Sequence, residues 1–511
     1  MKKRTHKRAV FKACHQNQTE LLPPSLDELL PENHQVRLIY HPRMLLRVLI
    51  YAYTQKIYTS RQIAKAIREQ IPFMWLSGGN RPDFRTLNLF RSSRLSDTIE
   101  DIFTSILQLL IESELVSLDE YFVDGTKIEA NANRYSFVWK KSTDKYEANL
   151  QNKIKELLRQ INEENQLEQS RYGDRDLEEL GENSHVSRER MDQMLKELED
   201  RLSEKPQDKK LKKAVKTLKE DYIPRQEKYE HYQEILGDRN SFSKTDPDAT
   251  FMRMKEDHMK NGQLKPGYNI QAGVENQFII HYTIHQKPTD WTTLIPHMES
   301  FETRYDYFPD NIIADAGYGN EENYTYLSDK QPTTSYVKYP GYHKEKRRKH
   351  KNNPYLPNNL PYNEKTDTFT CPAGKRLVFG YESTRRGQTG FVSTYRSYQC
   401  ESCSGCSLKE DCHQGKDDRI IHVNPQLNGY REQARALLDS QQGVIYRGRR
   451  CCEVESVFGQ IKNRGFRRFG LRGLTKVNTE FGLVAIAHNL LKWWAVTKDN
   501  QQKTESFAFC L

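Results

Sequence analysis

A chain of 511 residues can bury a large core and holds two or three structural units. Charged residues are 29% of it and hydrophobic ones 36%, and 79 Lys and Arg against 69 Asp and Glu leave a formal net charge of +10. That balance makes an acidic polymer, nucleic acid above all, a fitting partner. No stretch reads as a membrane span: the apolar run 45–53 is broken by Arg47, and 483–496 contains His488, Asn489 and Lys492. The start, Met-Lys-Lys-Arg-Thr-His-Lys-Arg, is basic like a signal n-region, but Cys-His-Gln-Asn-Gln-Thr-Glu comes after it in place of an apolar run. A cytoplasmic location with reduced thiols is therefore expected.

Residues 1–30 read as a basic arm ending in Pro23-Pro24, the first part of a helical region over 1–115. His41-Pro42-Arg43 opens a helix Met44–Tyr53, and Thr59 or Ser60 caps the next, on which Arg61, Lys65 and Arg68 share a face. A third helical stretch begins near Arg81-Pro82-Asp83 and runs to Arg91. Short helices with basic faces fit a helix-turn-helix arrangement as well as an ordinary bundle with solvated cations. From Val116 to Ile128 the period changes to that of a strand, interrupted near Gly125. Asp124 within it is a poor strand former: a turn is the ordinary reading, a metal ligand on a sheet the sharper one.

Residues 140–245 are dense in Glu, Lys, Gln and Arg, with Leu150, Ile154 and Leu157, then Met191, Met194 and Leu198, at helical spacing. Gly173 and Gly181 punctuate them, and a helical hairpin or coiled-coil insertion is expected. Strands return at 268–274 and 278–284, followed by a helix capped at Thr289 or Asp290. Asn311-Ile312-Ile313-Ala314-Asp315 is a short apolar strand ending in an acid, a common way to hold a catalytic carboxylate at a sheet edge. Three strands, a helix, a strand and a late acidic helix are the order of an RNase H-like fold, so the class is α/β (α+β overall), with the core spread over 116–500.

A second insertion, 340–445, is basic and Cys-rich. Lys338–Lys351 reads as a mobile loop, and five of the nine cysteines (Cys371, Cys400, Cys403, Cys406, Cys412) crowd the segment beyond it. Spaced thiols in a reduced compartment suggest a structural zinc, held by Cys371, Cys403, Cys406 and Cys412 with Cys400 as a spare, over reduced buried cysteines. Downstream of the cysteines, Cys452–Lys462 reads as one helix with Val454, Val457, Phe458 and Ile461 on its packed side. Glu455, Gly459 and Lys462 line one flank, Glu453 and Gln460 the other. The ribbon after it interleaves Lys462, Arg464, Arg467, Arg468 and Arg472 with Phe466 and Phe469, and reads as a phosphate-binding surface over a solvated basic loop.

Asp124, Asp315 and Glu455 are thus two strand carboxylates and a helix carboxylate that an RNase H-like sheet would bring together. Three carboxylates can hold two divalent ions, Mg2+ or Mn2+, roughly 3.5–4 Å apart. On His41-Pro42-Arg43-Met44-Leu45-Leu46, the block Asp124-Gly125-Thr126-Lys127-Ile128-Glu129-Ala130-Asn131-Ala132-Asn133, Ala314-Asp315-Ala316-Gly317-Tyr318 and Glu455-Ser456-Val457-Phe458-Gly459-Gln460-Ile461-Lys462, the chain resembles the DDE transposases of bacterial insertion sequences, and among them the eleven-eighty-two-like branch. The resemblance implies Asp124, Asp315 and Glu455 as the metal-binding triad. Related transposases often place a Tyr and an Arg before the Glu and a Lys after it. Counted from Glu455, Lys462 fits, but Cys451 and Gly448 occupy the Arg and Tyr positions; counted from Glu453, Arg449 and Tyr446 fit, but Gln460 takes the Lys position. Glu455 is preferred and Glu453 stays open. The implied activity is cleavage at element ends and strand transfer, hence DNA transposition and recombination. Its implied partners are double-stranded DNA (terminal repeats and target) and a second copy of the chain on that DNA. A non-catalytic DNA-binding regulator and a nuclease without strand transfer are the competing readings.

Overall fold

The computed structural model describes residues 40–172, 186–254, 262–330, 332–413 and 415–508. The basic arm 1–30, Gly173 and Gly181 lie outside them. The chain divides into two compact units, one of residues 1–128 and 268–511, the other of residues 129–267.

The first unit begins with α1 (Pro42–Thr54), α2 (Ser60–Glu69), α3 (Ile71–Ser77), α4 (Phe84–Leu89) and α5 (Ile99–Glu112). Side chains of His41, Thr59 and Asp83 accept backbone N–H groups at the starts of α1, α2 and α4. A π-helical turn, Phe90–Arg94, follows α4. The first strand, β1 (Glu120–Glu129), runs unbroken through Gly125, where the sequence suggests an interruption. The glycine serves a close approach: a Cβ there would lie 2.4 Å from Asp290 Oδ1 and 2.5 Å from Gln271 Nε2.

The second unit contains β2 (Phe137–Trp139), α6 (Lys140–Tyr172), α7 (Arg188–Glu204), α8 (Lys209–Thr217), α9 (Ile223–Leu236), β3 (Ser241–Ser243) and β4 (Thr250–Arg253). The spaced apolar residues do form its core: Leu150, Ile154, Met191, Met194, Leu198, Val215 and Leu218 pack together. Buried Gln151 is satisfied from α6 outward, donating to Val186 O and Gln226 Oε1 and accepting from Val186 N. The unit is wider than the helical stretch alone because the β2–β3 ribbon and β4 belong to it.

The central sheet continues with β5 (Leu264–Glu275), β6 (Phe278–His285), β7 (Asn311–Ala314) and β8 (Thr334–Val337). Its order, β6-β5-β1-β7-β8, is antiparallel between β5 and β6 and parallel across β1, β7 and β8. Asn276 and Gln277, both at positive φ, make the tight β5–β6 turn. Crossover helices α10 (Leu294–Tyr305) and α11 (Glu321–Ser328) carry the chain from β6 to β7 and from β7 to β8. This is the RNase H-like core. The segment at 289–290 differs from the expected cap: Asp290–Thr292 is a 3-10 turn, and neither Thr289 nor Thr293 caps a helix through its side chain.

Beyond β8, the basic stretch read as a loop holds two single-turn helices, α12 (Tyr342–Glu345) and α13 (Arg348–Lys351). Then β9 (Tyr362–Asn363), β10 (Thr368–Thr370), β11 (Arg376–Arg386), β12 (Val392–Cys400) and β13 (Ile420–Val423), with α14 (Lys409–Cys412), form an antiparallel sheet over Leu377, Tyr398, Cys400, Cys403 and Ile421. The chain returns to the core through α15 (Pro425–Asp439) and α16 (Gln441–Arg450), a π-helical turn at Cys451–Glu455, α17 (Ser456–Asn463) and α18 (Leu474–Ala508). No described helix is long and apolar enough to cross a membrane.

Two devices fasten α18. Glu480, fully buried, accepts N–H groups of Gly470 and Leu471, each at 2.9 Å, and lies 3.7 Å from the buried guanidinium of Arg91, which itself donates to Tyr53 Oη at 2.9 Å. Asn489 holds both backbone groups of Ile279 on β6: its Oδ1 accepts the N–H at 2.9 Å and its Nδ2 donates to the carbonyl at 2.8 Å.

Candidate active site

The register of the parallel strands sets the site. Phe122 pairs with Ile313 and Ile313 with Tyr336, so continuing two residues along each strand brings Asp124, Asp315 and Lys338 level across β1, β7 and β8. Side chains two apart share a face of a sheet. That face is covered by α16: Tyr446 packs on Phe122 at 6.0 Å and on Tyr336 at 4.9 Å between ring centroids. One helical turn beyond Tyr446, Arg450 reaches the acids. Its Nη1 lies 3.5 Å from Asp124 Oδ2 and its Nη2 2.8 Å from Glu455 Oε1.

Arg450 and Glu455 are five apart, a spacing that an ordinary α-helix sets on diverging faces. The π-helical turn Cys451–Glu455 inserts the residue that brings them together. It also separates the two glutamates that the sequence leaves open. Glu453 is buried and spent on structure: it accepts Gln277 N–H at 2.7 Å and pairs with Arg449 at 3.0 Å. Arg449 also reaches Glu120 at 2.6 Å. Glu455 points to Arg450 with its carboxylate half exposed. Its packed side is as read from the sequence, with Val454, Val457, Phe458 and Ile461 buried.

Asp315 Oδ1 accepts the N–H of Gly317 at 2.7 Å. Next to it, Tyr318 is fully buried and donates its hydroxyl to Gln271 Oε1. Burial first, then the charges of Asp290, Asp124 and Asp315, hold its phenol well above the ordinary tyrosine range, so it stays a proton donor. Lys338 is pushed below the usual lysine range by burial and by the neighbouring Arg450. Arg450, Lys338 and Asp290 are residues of this neighbourhood that sequence reasoning misses. Only Asp290 stands out in the sequence, and then as a helix cap.

Among the described residues no group of three or more His, Cys, Asp or Glu side chains is placed to hold a metal ion. The donor chemistry at the sheet edge nonetheless fits a hard divalent cation, since every acid there offers carboxylate oxygen. The positive charge between Asp124 and Glu455 is that of Arg450.

The basic ribbon is divided in its roles. Phe466 and Phe469 are buried, Phe466 against Tyr58 and Phe469 against Tyr268, so the interleaved aromatics anchor it. Arg464 is turned inward, donating to Thr54 O. Gly465 and Gly473 adopt positive φ at its bends. Arg467, Arg468 and Arg472 are exposed and Lys462 half-buried. Arg468 borders a groove of about 1010 Å³ whose other walls include Arg61, Arg85 and Asn88 of α2 and α4. Lys65, 70% exposed, pairs loosely with Glu69 at 3.7 Å.

All five clustered cysteines, with His413, line one small cavity. Arg419 donates to two of the sulfurs, from its backbone to Cys403 at 3.3 Å and from its guanidinium to Cys412 at 3.0 Å. Burial, and then Cys403, push the thiol of Cys400 up to about 11. The thiol set fits zinc chemistry, and Cys400, read as the spare, lies inside it.

Two family models match the chain. Residues 370–494 match the one described as a transposase DDE domain. Residues 5–93 match the other, a transposase domain designated DUF772. The pair is typical of bacterial insertion-sequence transposases of the eleven-eighty-two-like kind. No curated protein and no solved structure matches it.

Proposed function

We propose that this chain cleaves DNA at the ends of its own mobile element and transfers the freed 3′ ends to target DNA, with Asp124, Asp315 and Glu455 as the ion-binding acids. The observation that carries the reading is the convergence of Asp124 and Glu455 on one guanidinium, level with Asp315, on the α16-covered face of the sheet. Bound to these carboxylates, divalent ions would activate the attacking oxygen and stabilise the leaving one. The chain's own part is to hold the acids and the substrate phosphate. Asp124 is fixed within a strand, Tyr318 keeps its proton, and Lys338 and Lys462 offer cations to the scissile phosphate. The test is incubation of purified protein with end-labelled element DNA and Mg2+, scoring nicked and joined products. Neither product at any protein concentration would overturn the reading, and nicking without joining would reduce it to a nuclease.

The two glutamates give a sharp comparison. Glu455→Gln is expected to remove cleavage with little loss of stability, whereas Glu453→Gln weakens a buried hydrogen-bonded pair and costs about 1–3 kcal/mol of stability. Cleavage assays and urea melts of both variants check this; equal loss of activity at equal stability would leave Glu455 no special place.

DNA is proposed to lie on Arg467, Arg468, Arg472 and Lys462 and to continue along the groove to Arg61 and Lys65, two copies of the chain acting together on it. Phosphate contacts position DNA without reading sequence. Arg467→Ala/Arg468→Ala should weaken binding to element ends and random DNA alike, each lost contact reducing the salt slope by about one unit. An unchanged slope in a salt titration would assign these arginines to solvent.

A structural zinc is proposed for four of Cys371, Cys400, Cys403, Cys406 and Cys412. Elemental analysis of protein purified without chelator should find about one zinc per chain. A folded, zinc-free protein under those conditions would refute it.

A further inference from the structure

The cations that follow β8 are fixed in position and left without acids. Residues 343–351 read His-Lys-Glu-Lys-Arg-Arg-Lys-His-Lys, six Lys and Arg against one Glu. Tyr342, buried at the start of α12, anchors them. Lys346 donates to its hydroxyl at 2.7 Å with the ammonium 4.3 Å from the ring centroid, and the Arg447 guanidinium lies 5.5 Å from the same ring. At the far end the Asn359 amide donates to the carbonyls of His350 and Asn353, each at 2.8 Å, and so clamps the end of α13. Two acids nearby are already engaged: Glu345 pairs with Arg435 at 2.7 Å and Asp439 with Lys346. Lys344, Arg347, Arg348, Lys349 and Lys351 are exposed, with no acid among the described residues in ion-pair reach. Partial desolvation, then the charges of Lys338, Arg447, Lys346 and Arg347, hold the imidazole of His343 below its ordinary range, so the cations are densely set. Such a surface repels itself, and a polyanion relieves the repulsion.

This surface adjoins the acids from the side away from the ribbon. β1, which carries Asp124, and β7, which leads into Asp315, lie between β5 and β8 in the sheet. The ribbon packs on β5, where Phe469 meets Tyr268 at 5.7 Å between ring centroids. α12 and α13 follow β8 through Lys338, which lies level with Asp315 and close to the charges of Arg450 and Arg447. Two cationic surfaces thus start from strands on either side of the acids, and they differ in chemistry. The groove beside the ribbon is walled by Thr59, Ser60, Asn88 and Ser92 as well as arginines, side chains that can hydrogen-bond base edges. Residues 343–351 contain no amide or hydroxyl side chain, and clustered Lys and Arg bind phosphate whatever the sequence. Strand transfer brings two duplexes to one set of acids: an element end, which is one fixed sequence, and a target, which is not.

We propose that the exposed cations of 344–351 receive the target duplex, while the ribbon and groove hold the element end. The proposal rests on the chain being a strand-transferring enzyme.

The experiment uses the full-length protein and the variant Arg347→Gln/Arg348→Gln/Lys349→Gln/Lys351→Gln, whose replaced side chains make no described ion pair, with thermal melts of both. Precut element ends bearing a free 3′-hydroxyl, with a plasmid of unrelated sequence and Mg2+, report joining; uncut end-labelled element DNA reports nicking. The variant is expected to join at least about tenfold less at limiting plasmid, to recover as plasmid is raised, and to nick within about twofold of wild type. Plasmid capture by the protein–end complex should lose about one unit of salt slope per lost contact. Nicking and joining lowered together would place the segment on element DNA and overturn the proposal. Joining unchanged at every plasmid concentration would assign the cations to solvent and overturn it too. Wild-type protein that nicks without joining would overturn the strand-transfer reading itself, and this proposal with it. Should the variant melt well below wild type, Arg347→Lys/Arg348→Lys and Lys349→Gln/Lys351→Gln are compared in its place. The first keeps its charge and should join like wild type, the second should join less, and equal joining by the two would overturn the proposal.

Discussion

Replacing Asp124 by Asn or Asp315 by Ala is expected to lower strand cleavage to below about a thousandth of wild type, the loss of several kcal/mol of charge stabilisation at the reacting phosphate. DNA affinity should stay near wild type, because most of the contacts proposed for element DNA are made by the arginines of the basic ribbon and the groove, away from these acids. Asparagine is the better probe at Asp124, since that side chain is buried beside Arg450 and alanine would leave part of the guanidinium without its partner. Asp315 is only partly buried, so alanine is tolerable there. The measurements are end-labelled cleavage, a binding isotherm and a thermal melt for each variant. Normal cleavage by either would remove that residue from the site.

The largest expected effect on stability lies away from the chemistry, at Glu480. Its carboxylate is fully enclosed and bound to two backbone N–H groups and the Arg91 guanidinium. Glu480→Ala would leave a buried Arg and two N–H groups unpaired, and should cost about 3–5 kcal/mol. Replacing both partners, Arg91→Met with Glu480→Leu, should be less damaging than removing Glu480 alone, because no charge is then stranded. Urea denaturation of the single and double variants tests this. A single variant within about 0.5 kcal/mol of wild type would show the pair to be dispensable.

How far the site was legible depends on which signals are local. Asp124 and Asp315 announce themselves because an acid in or at the end of an apolar strand is costly without a purpose, and the strand period marks both. The apolar stripe that runs from the π-helical turn into α17 is equally plain, since Val454, Val457, Phe458 and Ile461 keep a helical spacing. Counting backward along a regular helix does not find the arginine that meets Glu455, for a physical reason. The π-helical turn adds a residue to the register, so the guanidinium that meets Glu455 comes from Arg450, a position no 3.6-residue count selects. Asp290 and Lys338 are hidden differently. Their partners, Asn269 and Gln271 for one and the row with Asp315 for the other, exist only once the strands are paired. The basic ribbon shows the opposite error. Charge and aromatic content read as one surface, and burial divides them, with Phe466, Phe469 and Arg464 facing the protein.

The clasp of Asn489 on Ile279 bears on how two copies of this chain can meet. β6 is an outer strand of the central sheet, and an outer strand with unpaired peptide groups invites another chain to join it. At Ile279 both peptide groups are already taken by one amide side chain from the same molecule. A newcomer adding along β6 would have to evict Asn489 and, with it, part of the packing of α18 on the strand. Edge-to-edge pairing of copies through this border is thereby discouraged.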